Sequence, residues 1–256
     1  MELINISNQK TYESEDIVKS YFLEYKLQKP EKTVFNILKD RLKDMRMLDI
    51  GIGGGRTTIH FAPLVKEYIG IDYSKNMIDA CKKRFSELAE KDCLKVCDAR
   101  DMTILENNYF DFILFSFNGI DYISHEDRLK VLKEIKRVSK KGGYFCFSSH
   151  NLNANLDFTV GMTLNPIKLI YRIYFYLLFK FLTRNFKRLQ KTSSHLIIND
   201  GARKFRLKTY YIKPAAQINQ LAALGFKDIR FYSLSDGNEI KNKSLLNTLK
   251  DSWLYY

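Results

Sequence analysis

The sequence predicts an α/β fold in which helices cover both faces of a mostly parallel, doubly wound sheet. From residue 46 onward, short apolar segments alternate with helical patterns, which is typical of parallel strands joined by crossover helices. A glycine-rich loop, "GIGGG", directly follows the first of these segments. The 256 residues, 45% of them hydrophobic, suffice for one large domain or for a domain with an insert.

Two helices are predicted before the first strand, over residues 14–28 and 31–43. Glu15 lies in the first turn of the first helix, where a carboxylate interacts favourably with the helix dipole. Pro30 lies at the start of the second helix, a position that tolerates proline. We expect residues 12–44 to cover the functional site.

Strands and helices then alternate along the chain. The predicted strands are "RMLDI", "EYIGID", "CLKVCD", "YFDFILFSF" and "GGYFCFSS". The helices between them are "RTTIHFA", "SKNMIDACKKRFSELAE" and "HEDRLKVLKEIKRVSK". After residue 201 the alternation returns with "FRLKTYYI", the helix "PAAQINQLAALGF", the strand "KDIRFYSL" and the aromatic "SWLYY". Residues 1–150 and 201–256 are therefore predicted to form one domain.

Residues 151–200 interrupt this alternation and are predicted to form a helical, basic and aromatic insert that caps the site. From Phe158 to Asn199 there is no acidic residue. The longest apolar run, Ile173 to Phe179, is far shorter than the roughly 18 residues that a membrane-spanning helix needs. We therefore expect no crossing of a membrane. Docking of 158–191 on an anionic membrane surface or a lipid-linked acceptor is one hypothesis, and a buried cap helix with basic ends is the other.

The overall charge restricts the classes of partner. A formal net charge of +13 points to nucleic acid, a phosphorylated substrate or an acidic lipid surface, although a solvated lysine-rich surface is the simpler interpretation. The four cysteines show no pairing framework, and Cys93 with Cys97 lacks the second half of a zinc site, so no metal is predicted. The amino-terminal residues carry no export signal, which favours the cytoplasm.

The glycine loop does not match a dinucleotide-binding fingerprint. In the pattern G-x-G-x-x-G counted from Gly51, the last glycine position holds Arg56. What remains is an acidic residue that ends a strand, followed by glycines that let a ligand contact the main chain. Arg56 to Ala62 begins a helix whose amino end would point at that ligand. Asp72 ends the second strand, where its carboxylate can accept both hydroxyls of a ribose.

These features resemble the class I S-adenosylmethionine-dependent methyltransferases, over roughly Tyr12 to Gly143 and again over about 205–256. The motifs are "DIGIGGG", "GIDYSKNMI", "CDARDM" and "YFDFILFSFNGIDYI", in that order, followed by "EIKRVSKKGGYFCFSS". The resemblance implies a seven-stranded, Rossmann-like sheet with an antiparallel last strand. "SWLYY" fits that strand, and we expect a few further carboxyl-terminal residues to belong to it. The implied cofactor is S-adenosylmethionine, with S-adenosylhomocysteine as its product.

The resemblance also assigns cofactor contacts. The methionine part would be held by the glycine loop and the start of its helix, namely Asp49, Gly51, Gly53, Gly55 and Arg56. Asp72 would bind the ribose, with Tyr73 and Met77 beside the adenine, while Asp98 would meet the adenine amino group and Ala99 the ring edge. Asn118 would follow strand four beside the sulfonium.

Candidate catalytic residues follow strands four and five, because chemistry in an open parallel sheet gathers at the carboxyl ends of its strands. They are His150, Tyr122 and Asp121. Methyl transfer is an in-line displacement that depends on positioning, and a base helps when the acceptor is a hydroxyl or an amine. We expect His150 or Tyr122 to assist that deprotonation. His125, after a capping Ser124, is interpreted as a first-turn helix residue instead.

The acceptor is predicted only as a class. "NGIDY" stands where methyltransferases of exocyclic base amines carry a proline-containing signature, and no cysteine stands where a pyrimidine C5 nucleophile is expected. We therefore expect methylation of an O or N atom of a small molecule. A looser resemblance to bacterial members found with sugar and polysaccharide biosynthesis suggests a sugar precursor. The alternatives are an RNA methyltransferase and a non-catalytic S-adenosylmethionine-binding relative. Nucleic acid is the less favoured partner, and a homodimer is a further hypothesis.

Overall fold

The computed structural model describes residues 2–156 and 165–256. Three helices and a 3₁₀ turn precede the sheet: α1 (Glu2–Tyr12), α2 (Glu15–Phe22), α3 (Lys29–Leu38) and the turn Lys39–Asp44. The two predicted helices correspond to α2 and to α3 with its 3₁₀ extension. Helix α1 was not predicted, because its sequence has no clear apolar face.

The first half of the sheet contains β1 (Arg46–Ile50), β2 (Glu67–Asp72), β3 (Leu94–Val96), β4 (Phe110–Phe115) and β5 (Ser139–Asn151). The helices between these strands are α4 (Thr58–Phe61), α5 (Lys75–Arg84), α6 (Ser86–Glu90) and α7 (His125–Val138). The single predicted helix after β2 is interrupted, because Phe85 has non-helical angles of φ −129° and ψ 71°. All five predicted strands are present.

The second half contains α8 (Pro166–Leu182), α9 (Phe186–Thr192), β6 (His195–Ile198), a short turn α10 (Ala202–Phe205), β7 (Thr209–Ile212), α11 (Pro214–Ala223), β8 (Tyr232–Ser233) and β9 (Trp253–Tyr255). The predicted insert is thus helical over α8 and α9 but ends in β6, a strand that was not predicted. Its part over 157–164 lies outside the described residues.

The strands follow the order β3-β2-β1-β4-β5-β7-β6, with β9 paired to β5 and β8 paired to β9. The strands from β3 to β5 are parallel to their neighbours. Strand β9, at the end of the chain, runs antiparallel to β5. The prediction of a doubly wound sheet with an antiparallel last strand is confirmed. The main path holds seven strands, but β6 and β7 take places in it that were expected for the last two strands.

Strand β5 is a junction because its two edges bind different partners. The amides of Phe147 and Asn151 donate to carbonyls beside β9, whereas the amide of Leu152, just after the strand, donates to Ile212 of β7. Successive amides of an extended chain point to opposite edges. The hairpin β6–β7 therefore lies on the β4 side of β5, beyond the point where β4 ends.

The core lies on both faces of the sheet. On β4, Phe112 and Leu114 face a cluster that includes α3 and α4, while Ile113 and Phe115 face the cluster of α7 and α11. Side chains of a strand alternate between faces, so this division follows from an apolar strand buried on both sides. The carboxyl ends of β1 to β4 are left at one edge, where the candidate site lies.

Candidate functional site

A cleft opens at the carboxyl ends of β1, β2, β3 and β4. Most of the predicted cofactor residues line it: Gly51, Gly53, Asp72, Tyr73, Met77, Asp98 and Ala99. Tyr122 lines it as well, among the predicted catalytic residues. The remaining walls are largely aromatic and come from Tyr12, Tyr21, Phe115 and Phe117.

The glycine loop provides bare backbone at two different surfaces. Gly51 and Gly53 have φ of +67° and +51°, a region that favours glycine. At Gly54 the requirement is packing, since a Cβ there would lie 2.5 Å from the carbonyl oxygen of Tyr21. The loop thus offers one side to the cleft, while its other side carries the end of α2.

Asp72 is fixed at the centre of the cleft floor. Its Oδ2 accepts a hydrogen bond from the amide of Gly53 at 3.0 Å, and its Oδ1 accepts one from the amide of Ser74 at 2.9 Å. Burial raises the pKa of this carboxyl to about 6, although both amides favour the charged form. The group is therefore ionised at neutral pH and close to its titration range.

Of the residues predicted to contact the adenine, three line the cleft freely, but the carboxylate of the fourth is bound by an arginine. Tyr73 and Met77 lie on the wall beside Ala99. The Asp98 carboxylate, expected to meet the adenine amino group, is bound by Arg100, with Nη2 at 2.6 Å from Oδ2. Arg100 also lines the cleft and lies 3.2 Å from Asp127.

Helices α1 and α2 form a roof over the cleft. The ring of Tyr12 lies 6.0 Å from that of Tyr21, 6.2 Å from that of Tyr73 and 5.4 Å from that of Tyr122, measured between centroids. Asn8 Nδ2 donates to the carbonyl oxygen of Tyr122 at 2.8 Å. These contacts agree with the expectation that residues 12–44 cover the site, which stays a prediction. The aromatic roof itself was not predicted, because nothing in the sequence of α1 or α2 marks which tyrosines face inward.

Four predicted cofactor residues are absent from the lining of the cleft. Asp49 is buried below the loop, where it accepts hydrogen bonds from Thr57 and Tyr68, and burial raises its pKa to about 7. Gly55 packs against Phe85, which a Cβ at that position would approach to 2.3 Å. The other two, Arg56 and Asn118, are bound to protein groups described next. Direct contact of these four with a cofactor stays a prediction.

Arg56 belongs to a buried network that connects four parts of the chain. Its guanidinium forms two hydrogen bonds with Glu31 of α3, at 2.5 and 2.6 Å. Ser116 and Tyr255 also hydrogen-bond that carboxylate. Burial alone would raise the pKa of Glu31, but the hydrogen bonds and the charge of Arg56, together with hydrogen bonds from Ser116 and the Gln28 amide, hold the pKa below its ordinary value. The network joins α3, the glycine loop, the end of β4 and β9.

Asp121 and His150 form a buried pair behind the cleft wall. Asp121 Oδ2 lies 2.8 Å from His150 Nδ1 and accepts the backbone amide of His150 at 2.6 Å. Its Oδ1 binds Arg128 at 2.5 Å, so the carboxylate has no free oxygen for a substrate. The pairing assigns a proton to Nδ1 and leaves Nε2 as the acceptor, 3.4 Å from Asn118 Nδ2.

Asn118 is the hydrogen-bond partner of His150 Nε2, and neither residue lines the cleft. Asn118 is 4% exposed and adopts left-handed backbone angles of φ 59° and ψ 24°. Its Oδ1 has no hydrogen-bond partner among the described residues. A left-handed, non-glycine residue with an unpaired buried oxygen is a costly arrangement that concentrates at functional sites.

Tyr122 is unsuited to the role of base. Burial, followed by the proximity of Tyr21 and Asp200, raises its pKa above the ordinary value of a phenol. Near neutral pH its hydroxyl therefore keeps its proton and can donate a hydrogen bond. The raised pKa argues against Tyr122 as a proton acceptor, and its catalytic role stays a prediction. The interpretation of His125 as a first-turn residue is confirmed, since α7 begins there after a Ser124 cap.

The sequence is similar to a family of methyltransferase domains and to several methyltransferases. The model of a family described as "Methyltransferase domain" matches residues 47–143. An uncharacterised methyltransferase of Schizosaccharomyces pombe is 32% identical over 53% of this chain and 51% of its own length. A demethylmenaquinone methyltransferase of Leptospira interrogans is 30% identical over 52% of this chain and 50% of its own. The match thus spans about half the length of these relatives.

Solved structures agree on the fold. An S-adenosylmethionine-dependent methyltransferase from Mesorhizobium loti aligns with a TM-score of 0.57, covering 88% of this chain and 95% of the other, at 14% identity. At that identity the likeness concerns the fold alone. It extends over most of the chain, beyond the segment that the family model matches.

Proposed function

We propose that the protein transfers a methyl group from S-adenosylmethionine to a small-molecule acceptor, because the family model described as "Methyltransferase domain" matches residues 47–143 and similar curated proteins are methyltransferases. The observation that carries this proposal is the combination of a glycine loop with positive φ at Gly51 and Gly53 and a buried Asp72 carboxylate opposite it. The proposed cofactor would lie across these two features.

The described residues fit the proposed cofactor. A Cβ at Gly51 would lie 3.0 Å from the Phe115 ring, so glycine keeps this side of the cleft open. Asp72 presents a carboxylate that can accept ribose hydroxyls while its amide donors fix its orientation. Tyr73 and Met77 provide an apolar wall for a base. When bound, S-adenosylmethionine supplies an electrophilic methyl group on its sulfonium.

The chain itself would supply positioning and proton acceptance. The roof residues Tyr12 and Tyr21 would exclude water and hold the acceptor in line with the methyl group. Asp121 would keep His150 in the tautomer whose Nε2 accepts a proton. Because Asn118 Nδ2 lies on that nitrogen, Asn118 would turn aside when the acceptor binds, and its Oδ1 would then accept a hydrogen bond from the acceptor. The protonated Tyr122 would donate a hydrogen bond to the acceptor.

The acceptor proposed is an O or N atom of a small molecule, such as a sugar or polysaccharide precursor in free or lipid-linked form. The aromatic walls of the cleft suit a ring or an apolar surface. Nucleic acid is not proposed, because the aromatic residues of the cleft lie under a roof rather than along an open basic groove.

The test is formation of S-adenosylhomocysteine from S-adenosylmethionine in the presence of candidate hydroxyl and amine acceptors, followed by mass spectrometry. With an acceptor in hand, His150→Ala should lower turnover by about 10²–10⁴ at saturating cofactor, as loss of a general base does. Tyr122→Phe should mainly raise the KM for the acceptor.

The same assay can refute the proposal. Tight binding of S-adenosylmethionine without turnover on any acceptor would support a non-catalytic relative instead. Near-normal turnover of His150→Ala across the pH range would show that His150 is not a general base. Positioning of the acceptor would then be the whole mechanism.

A further inference from the structure

Helix α8 carries an apolar stripe on its exposed side. Ile167, Ile170, Tyr174, Leu177 and Phe181 recur at intervals of three and four residues, so they share one face. Their exposed fractions lie between 59% and 78%. In this 17-residue helix only Phe179 is buried. Contiguous exposed apolar surface of this kind marks an interaction site in soluble proteins.

Exposed basic residues are frequent in α8, in α9 and between them. Lys168 and Lys180 of α8 are exposed, as are Arg184 and the α9 residues Lys187, Arg188 and Lys191. The chain has no aspartate or glutamate between 158 and 199. Helices α8 and α9 thus expose apolar side chains, and their charged residues are all lysine or arginine.

We propose that the exposed surface of α8 and α9 docks on an anionic lipid bilayer, with α8 lying in the plane of the membrane interface. A helix of 17 residues is about 25 Å long. In the described part of the chain, no helix has the length and apolarity to traverse a bilayer. Interfacial helices bind in this way: their apolar side chains are buried to the depth of the lipid headgroups, and their lysines and arginines are attracted to acidic lipid.

A second copy of the chain is a poorer partner for the same surface. The intervals of three and four residues would also suit pairing of two helices. However, pairing of α8 with α8 would bring lysines and arginines together without any carboxylate from 158–199 to neutralise them. Like charges across a helix pair are destabilising, whereas anionic headgroups complement them.

The docking surface is connected to the roof of the cleft. Phe175 of α8 stacks on Phe205, with ring centroids 5.3 Å apart and an interplanar angle of 10°. Two residues earlier, the Arg203 guanidinium lies 4.8 Å from the centre of the Tyr21 ring. Docking would therefore bring the roof of the cleft close to the lipid surface. This inference goes beyond the proposed function and does not depend on it.

The test is flotation of the full chain with two kinds of vesicle, phosphatidylcholine alone and phosphatidylcholine with about one-third phosphatidylglycerol. We expect binding to the acidic vesicles that falls as salt rises. Leu177→Glu combined with Ile170→Glu should weaken that binding by at least about tenfold, because two apolar side chains that would be buried in the membrane interface are replaced by carboxylates. Lys187→Gln combined with Arg188→Gln should weaken it by roughly fivefold for each charge removed.

Ile104→Glu is the matched control, because Ile104 is 61% exposed but lies outside α8 and α9. It should float like the unmodified protein, and circular dichroism should show all variants folded. Absence of binding to acidic vesicles would overturn the proposal. So would a stable dimer that Leu177→Glu dissociates, or RNA binding that the lysine and arginine variants lose while vesicles stay unbound. Calorimetry with S-adenosylhomocysteine reports on the cleft separately.

Discussion

At the scale of single residues, Asp72 is a buried carboxylate that is ionised at neutral pH. Its pKa of about 6 follows from burial, and the amides of Gly53 and Ser74 keep that pKa from rising further. Because a carboxylate accepts ribose hydroxyls and a protonated carboxyl does so less well, the affinity for a nucleoside ligand should depend on pH near this value.

We expect the affinity for S-adenosylhomocysteine to fall about tenfold between pH 7.5 and pH 5, because most of the Asp72 carboxyl is protonated at the lower pH. Asp72→Asn should bind about 10–100-fold more weakly at pH 7.5, since it loses charge-assisted hydrogen bonds. Calorimetry at both pH values measures this. A variant that matched the unmodified protein, or retained its pH dependence, would show that Asp72 does not bind the ligand.

Some site residues are placed by local sequence pattern, and others by contacts with other parts of the chain. Only the first group could be predicted from the sequence. Gly51, Gly53, Asp72, Tyr73 and Met77 follow strand ends, so local pattern sufficed to bring them to the cleft. The sequence could not show that Arg56 would bind Glu31, which is 25 residues away, or that Asp121 would be held by Arg128. Charged side chains near a predicted site were interpreted as ligand contacts, whereas burial required them to pair with one another.

At the scale of elements, the network around Glu31 fastens α3 to the glycine loop, β4 and β9. A buried ion pair contributes little beyond what apolar packing would, but loss of one partner leaves the other charge uncompensated. The low pKa of Glu31 means that its stabilising contribution exists above its ordinary pKa of 4.5 and is lost as pH falls through the lower folded value.

Glu31→Gln should lower the free energy of unfolding by about 3–5 kcal/mol, because it leaves the Arg56 guanidinium buried without a counter-charge. Urea denaturation followed by circular dichroism measures the loss. Asp79→Asn is the control, since Asp79 forms an exposed pair with Lys75 and should show no measurable change. Equal stability of the two variants would contradict the role given to the network.

Elements with a strong local pattern were predicted well and the others were not. Strand β4 is apolar at nearly every position and matches its prediction, as does α7 with its cap and periodicity. Strand β6 was missed because it exists only through pairing with β7. The break at Phe85 was missed because its residues continue a helical pattern, and the change of direction depends on tertiary packing.

At the scale of the whole molecule, the cleft is assembled from distant parts of the chain. Its walls come from α1, α2 and the first four strands. A ligand bound there contacts all of these elements at once, so it should stabilise the folded molecule as a unit.

S-adenosylhomocysteine at 100 times its Kd should raise the Tm by about 5–10 °C, from the mass-action gain of about 2.7 kcal/mol. Hydrogen exchange should slow over residues 8–22 as well as over the glycine loop. Differential scanning fluorimetry and exchange mass spectrometry measure the two effects. Asp72→Asn at the same ligand concentration should show a smaller rise in Tm. Slower hydrogen exchange in the sheet without slower exchange over residues 8–22 would refute a cleft closed by the roof.

The contacts of the roof have a consequence for the order of folding. Asn8 Nδ2 donates to the carbonyl of Lys208 and Thr11 Oγ1 to that of Arg206, across separations of 200 and 195 residues. During synthesis, α1 leaves the ribosome long before its partners exist, while the strands from β1 to β4 can pair as they emerge. Contacts so far apart in the chain form late, since the loop between them must first be ordered. The newborn protein therefore forms the part of the sheet from β1 to β4 first and closes the roof of its binding site later.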